Sequence, residues 1–185
     1  DARWQEAFGI VSDMRLRRLE PDAITYNAAV SACGKGARWL EVLRMCSDMR
    51  RLCFKSTVIA YNVAICASEK SEKWQEALGM FLDMRLRRLE PDTITYSAAV
   101  GACEKGARWH EALGIFSAMR VRRTEPDVMT YNDAIRACEK ASRWPEASGM
   151  FSYMRTRRME IDAVTQHVAL NVCDESACTK ARGSA

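Results

Sequence analysis

The sequence predicts an all-α chain, a solenoid of antiparallel helix pairs, and three internal periodicities predict it. All five tryptophans, Trp4, Trp39, Trp74, Trp109 and Trp144, fall at steps of 35 residues. Tyr26, Tyr61, Tyr96 and Tyr131 keep the same step, as do Met14, Met49, Met84, Met119 and Met154. The segments DARWQEAFGIVSDMRLRRLEPD and EKWQEALGMFLDMRLRRLEPD are near copies of each other. Self-similarity at a fixed period of this length marks a repeat architecture, in which each unit buries its apolar face only by stacking on its neighbours.

Taken in order, residues 1–22 read as the second helix of a preceding unit. Whole units follow at 23–57, 58–92, 93–127 and 128–162, and 163–185 reads as a degenerate half unit with a terminal cap and tail. Within the unit at 23–57, Tyr26, Ala29, Val30 and Cys33 recur at helical spacing and predict a first helix over 23–35. Gly36, with Gly106 in the matching place, supplies a stop signal. Trp39, Val42, Leu43, Cys46 and Met49 define the apolar side of a second helix over about 38–50. A basic loop and Pro-Asp close most units, where proline discourages further helix.

The composition is that of an ordinary folded chain: 185 residues, 48% hydrophobic, 28% charged, with a formal net charge of +4. Apolar runs are only a few residues long, against the roughly 20 needed to cross a bilayer, so no membrane span is expected. The chain opens on Asp1 with no signal-like stretch after it, which reads as an excerpt or a processed product. The mild basic excess permits an acidic partner.

At about 100° per residue, Ile24, Asn27, Ser31 and Lys35 form one stripe opposite the apolar face. This stripe is expected to stay unburied. Its first place is always apolar (Ile24, Ile59, Ile94, Met129) and its second small and polar (Asn27, Asn62, Ser97, Asn132). Its last place is always lysine (Lys35, Lys70, Lys105, Lys140), while Thr57, Asp92, Asp127 and Asp162 close the units. An aliphatic, a small polar group and a cation at every step suit an extended polyanion with flat bases. Two plainer roles compete. Lysine near a helix C-terminus is favoured by the macrodipole by ~0.3–1 kcal/mol, and aspartate before a helix is a good N-cap, worth about 1 kcal/mol.

The 35-residue period, the TYN-led first helix, the GARW second helix, the DMR or AMR stretch and the closing EPD resemble pentatricopeptide repeats of the pure 35-residue class. The resemblance runs from residue 1 to about 175; the tetratricopeptide repeat, at ~34 residues, has a different order of Trp, Gly, Tyr and Pro. It implies a right-handed superhelical α-solenoid that binds single-stranded RNA with one base per unit. It implies that the residue after the Tyr and the last residue of each unit choose the base jointly. Asn62 with Asp92 then implies uracil, Ser97 with Asp127 guanine, and Asn132 with Asp162 uracil. Asn27 with Thr57 implies a pyrimidine, giving 5′-(U/C)-U-G-U-3′. Ile24, Ile59, Ile94 and Met129 match base-sandwiching positions, and Lys35, Lys70, Lys105 and Lys140 match phosphate contacts. In the last half unit Gln166, His167 and Glu175 replace the Tyr, the reader and the Lys, which suits a cap. Four readers are few: ~1–3 kcal/mol per stacked base stands against ~4–15 kcal/mol of association cost, so binding by this stretch is expected to be weak. The resemblance also implies a mitochondrion or plastid as compartment, and a role in RNA processing, stabilisation or translation. A protein-interaction scaffold, or the targeting module of a larger RNA-processing enzyme, are the alternatives.

Other chemistry is not expected. Cys33, Cys103, Cys138 and Cys173 occupy equivalent buried places about 10 Å apart per step, too far for a disulfide, and read as small core thiols in a reducing compartment. Cys173 and Cys178 lack a second ligand pair for zinc. His110, expected at the surface, and His167 belong to no catalytic constellation, and the closing aspartates lie a full step apart, so they share no metal. There is no phosphate-binding glycine loop. The pairs Arg17-Arg18, Arg87-Arg88, Arg122-Arg123 and Arg157-Arg158 read as a solvated basic edge. No catalysis, cofactor or small-molecule substrate is expected.

Overall fold

A computed structural model of the chain describes residues 3–19, 21–35, 39–51, 58–159 and 166. Among them the chain forms α1 (Arg3–Leu16), α2 (Ala23–Lys35), α3 (Trp39–Arg51), α4 (Val58–Lys70), α5 (Trp74–Leu86), α6 (Thr93–Lys105), α7 (Trp109–Val121), α8 (Val128–Lys140) and α9 (Trp144–Thr156). Most of 163–185, including His167, Cys173, Glu175 and Cys178, lies outside the described residues, as does Gly36; Gln166 is helical and exposed.

Successive first helices pack on one another, α2 on α4, α4 on α6 and α6 on α8, and each also packs against the second helices on either side. Among the described residues no two second helices approach each other to a comparable extent. First helices therefore line the tightly wound inner side, and second helices fan out on the outer one. This is an all-helical repeat solenoid.

The periodic residues are its core. Tyr26, Tyr61, Tyr96 and Tyr131 are buried, as are Met49, Met84, Met119 and Met154. Burial of each such side chain contributes about 1.5–3 kcal/mol, repeated unit by unit. Phe81 meets Tyr96, and Phe116 meets Tyr131, edge-to-face with centroids 5.7 and 4.8 Å apart, a preferred aromatic geometry. Cys33, Cys103 and Cys138 are buried, as expected, and burial pushes the Cys103 thiol up to about 12 and that of Cys138 up to about 11.

Helix ends follow two different rules. First helices α6 and α8 start on Asp92 and Asp127, whose carboxylates accept the backbone N–H groups of Thr95 and Thr130 at 2.9 and 2.8 Å. Second helices α5, α7 and α9 start on Lys73, Arg108 and Arg143, which make no side-chain cap. These cations instead reach over the indoles of the preceding unit: Lys73 over Trp39 at 5.5 Å, Arg108 over Trp74 at 5.3 Å and Arg143 over Trp109 at 4.3 Å. Each cation–π contact is worth about 0.5–1 kcal/mol, which offsets much of the missing cap. The ladder ties successive units together. Its signal was in the sequence, since the residue before every tryptophan is Arg or Lys.

The stop signal differs from expectation. The left-handed residue after α6 is Ala107, with φ of 51°, whereas Gly106 has φ of −84°. Arg88, Arg123 and Arg158 take the same conformation after the second helices. Arg108 N–H reaches the carbonyl of Cys103 at 2.8 Å and Ala107 N–H that of Glu104 at 3.1 Å, closing the helix. Gly106 is required for another reason. A Cβ there would stand 2.6 to 2.9 Å from three atoms of the Trp74 ring.

Candidate functional site

Along the inner side, the aliphatic places of the stripe are open: Ile24 is 77% exposed, Ile59 61%, Ile94 57% and Met129 64%. Exposed large aliphatics at one equivalent position in four consecutive units make a regular row. Burial of the neighbouring apolar faces does not require such a row.

The polar place behaves differently. Asn62 and Asn132 are only 8% and 5% exposed, while Asn27 and Ser97 are half-buried. The expectation that this place is unburied is corrected at both buried asparagines. The helical projection takes a first helix alone, whereas at Asn62 the N-terminus of the next first helix leans over it. Asn62 Nδ2 donates to both carboxylate oxygens of Asp92, at 3.0 and 2.9 Å, and its Oδ1 accepts from the Thr95 hydroxyl. Two residues 30 apart in the chain thus form one polar floor between Ile59 and Ile94.

Asp92 and Asp127 are the exposed members of their pairs. Burial pushes the Asp92 carboxyl up, but hydrogen bonds from the Thr95 backbone, the Thr95 hydroxyl and Asn62 outweigh it and hold it below the usual carboxylate range. Both aspartates are also N-caps, so the plainer role is fulfilled in the same atoms. In the next unit Ser97 makes no hydrogen bond to Asp127, which instead accepts from Thr130 N and Oγ1 at 2.8 and 2.6 Å. The shorter serine leaves the floor open where asparagine closes it. Thr57 and Asp162 lie outside the described residues, so their two pairs are not seen.

The lysine ladder is not a row of free cations. Lys105 Nζ lies 2.6 Å from the Glu69 carboxylate and donates to the Glu69 carbonyl at 2.8 Å. Lys140 holds the Glu104 carboxylate at 2.8 Å and its carbonyl at 3.2 Å. Both fix the C-terminal end of the preceding first helix, where the macrodipole favours a cation. Lys70 is exposed and makes no ion pair among the described residues; the side chain of Lys35 lies outside them. At the step between α6 and α8 a further pair sits inside the row: Arg136 donates to Asp133 at 3.0 Å. Burial pushes the Asp133 carboxyl up to about 6, against Arg136 and with help from Glu104 and Glu69. Asp133 escaped the sequence reading because Ala28, Val63 and Ala98 stand at its equivalent places.

The paired arginines Arg17-Arg18, Arg87-Arg88, Arg122-Arg123 and Arg157-Arg158 are all exposed, forming the expected basic edge, and His110 is at the surface. A groove of about 600 Å³ lies among Leu82, Leu86, Arg88, Leu89, Pro91 and Arg122, at the loop that leads into Asp92. Among the described residues no helix is long and apolar enough to cross a membrane, and no three His, Cys, Asp or Glu side chains converge as metal ligands.

Comparison with known proteins assigns this geometry a family. Residues 24–54, 94–123 and 129–159 match the PPR repeat model, 56–105 the PPR repeat family model and 3–36 the pentatricopeptide repeat domain model. No match was found among curated proteins. Among solved structures, the chain superposes on the pentatricopeptide repeat protein PPR10 in complex with an 18-nt psaJ RNA element with a TM-score of 0.66 and 24% identity. That match covers 100% of this chain and 28% of the other, so the chain spans under a third of that relative. PPR10 from maize gives 0.60 at 22% identity, covering 95% and 25%. The PPR domain of Arabidopsis thaliana protein-only RNase P 1, in complex with tRNA, gives 0.73 at 16% identity, covering 82% and 80%. At these identities the likeness establishes the fold.

Proposed function

From the chain's membership of the pentatricopeptide repeat family, we propose that it binds single-stranded RNA along its inner row, one base per unit, reading 5′-(U/C)-U-G-U-3′. The observation that carries the reading is the Asn62–Asp92 pair, a post-tyrosine residue and a closing residue joined by two hydrogen bonds between exposed Ile59 and Ile94. The aliphatics sandwich a base, the exposed aspartate accepts from its edge, and the asparagine behind it fixes the carboxylate and sets the depth of the slot. A uracil fits above the asparagine floor. At the third unit the open floor beside Ser97 takes the larger guanine. The RNA-bound state of PPR10 and the tRNA-bound state of the Arabidopsis domain support an RNA partner for this fold.

The chain acts as an adaptor that masks or remodels a transcript in a mitochondrion or plastid, with catalysis, where needed, supplied by another domain or protein. The test is a binding scan with short single strands bearing pyrimidine-U-G-U against scrambled controls. Ser97→Asn is expected to move the third-base preference from guanine to uracil by at least tenfold, about 1.4 kcal/mol. An unchanged preference defeats the code, and equal affinity for scrambled strands defeats sequence reading altogether.

A further inference from the structure

The lysines of the inner row are not equivalent, and the glutamates preceding them decide which can meet a phosphate. Lys105 and Lys140 are each held by one glutamate of the preceding unit through both its carboxylate and its carbonyl. The glutamate side chains are the less exposed partners, at 20% and 15%, against 28% and 46% for the lysines. The pairs are thus partly shielded from solvent and screened less than surface pairs. Asp133 and Arg136 close a third pair beside them, and the Asp133 carboxylate stands 3.1 Å from where a Cβ on Gly101 would lie. Three carboxylates therefore balance three cations around α6 and α8.

One unit earlier the arrangement is absent. The residue that would clasp Lys70 is Gly34, because a Cβ there would collide with the Val63 side chain. Without that carboxylate Lys70 stays exposed.

We propose that Glu69 and Glu104 are built-in counter-ions that occupy Lys105 and Lys140 in place of RNA phosphate, so that Lys70 anchors the strand and the later steps bind only by displacing a glutamate. This rests on the inner row being the RNA site. When a phosphate displaces Glu69, the strand releases a cation but the freed carboxylate recruits one. The net salt dependence contributed by that lysine is then near zero. A free lysine such as Lys70 contributes the full slope of about 0.7 per phosphate for single strands.

The experiment measures affinity for a fluorescent single strand carrying UUGU, as a function of KCl, by anisotropy. Glu69→Gln with Glu104→Gln frees both lysines without changing side-chain shape. Binding is expected to tighten by roughly 3- to 20-fold at low salt, and the log–log salt slope to steepen by about 1.4. Glu90→Gln with Glu125→Gln makes the same net-charge change at exposed positions off the row and is expected to alter the slope far less. As a second arm, Lys70→Ala flattens the slope by about 0.7, whereas Lys105→Ala leaves it nearly unchanged and lowers the melting temperature. Equal slopes for Lys70→Ala and Lys105→Ala, or a glutamine pair that behaves like its control pair, overturn the counter-ion role while leaving RNA binding intact. If neither the unmodified protein nor any variant binds the strand at low salt, the RNA reading falls and takes this inference with it.

Discussion

Ser68 offers the sharpest test of how the units are packed. It stands where Cys33, Cys103 and Cys138 stand in the other units, is fully buried, and its hydroxyl has no hydrogen-bond partner among the described residues. An unsatisfied buried hydroxyl costs about 1–3 kcal/mol, and serine is a poorer helix former than alanine by a few tenths. Ser68→Ala removes the hydroxyl at the expense of a small void, for an expected gain of about 1–2 kcal/mol. Ser68→Cys keeps the space filled as its neighbours do, with a similar gain. For a chain of this length about 1 kcal/mol corresponds to roughly 2–4 °C in melting temperature, so both variants are expected to melt roughly 2–8 °C higher. Thermal and urea unfolding followed by far-ultraviolet circular dichroism, in the presence of reductant, measures this directly. The m-value is expected to stay constant, because the same surface is exposed on unfolding. A loss of stability in Ser68→Ala would mean that the hydroxyl is bonded in the folded chain, and the reasoning would fail. A gain in the cysteine variant alone would assign the effect to volume rather than to the orphaned hydroxyl.

Three further outcomes follow from backbone, packing and charge. Arg88 holds φ of 58°, where a left-handed residue costs about 1–2 kcal/mol; Arg88→Gly is expected to gain about 0.5–1 kcal/mol in urea unfolding after its larger unfolded-state entropy. Gly106→Ala drives a Cβ into the Trp74 ring and is expected to lose about 2 kcal/mol, with a change in tryptophan fluorescence as the ring shifts. The Asp133 carboxyl is raised from 3.8 to about 6, so its contribution to stability is fully present below 3.8 and is lost as pH rises through 6. Asp133→Asn is therefore expected to flatten the melting temperature between pH 4 and pH 7 and to stabilise at pH 7 by on the order of 1–2 kcal/mol. Asp92, lowered from 3.8, works in the opposite sense, its contribution being lost only as pH falls below that value.

The architecture was legible in the chain because a solenoid repeats its contacts along one dimension. The 35-step recurrence of Trp, Tyr and Met marks the same packing site in each unit. The first-helix bounds and the buried sides of both helices followed from spacing within single helices, and the exposed aliphatic row followed from the same projection. What the projection could not contain is the neighbour. Asn62 is buried because the N-terminus of the next first helix covers it, and Lys105 and Lys140 are engaged because a carboxylate 36 residues earlier swings under each. Gly106 looked like a helix stop and proved to be clearance for Trp74, one unit back.

Local sequence therefore determined the helices, their faces and the period, since those depend on residues within a turn or two of each other. Only the stacked structure decided which polar groups of the inner row are spent on one another and which remain for a ligand. Hydrogen bonds and ion pairs between units depend on distances across the stack, and a change of an ångström there moves a side chain from free to satisfied.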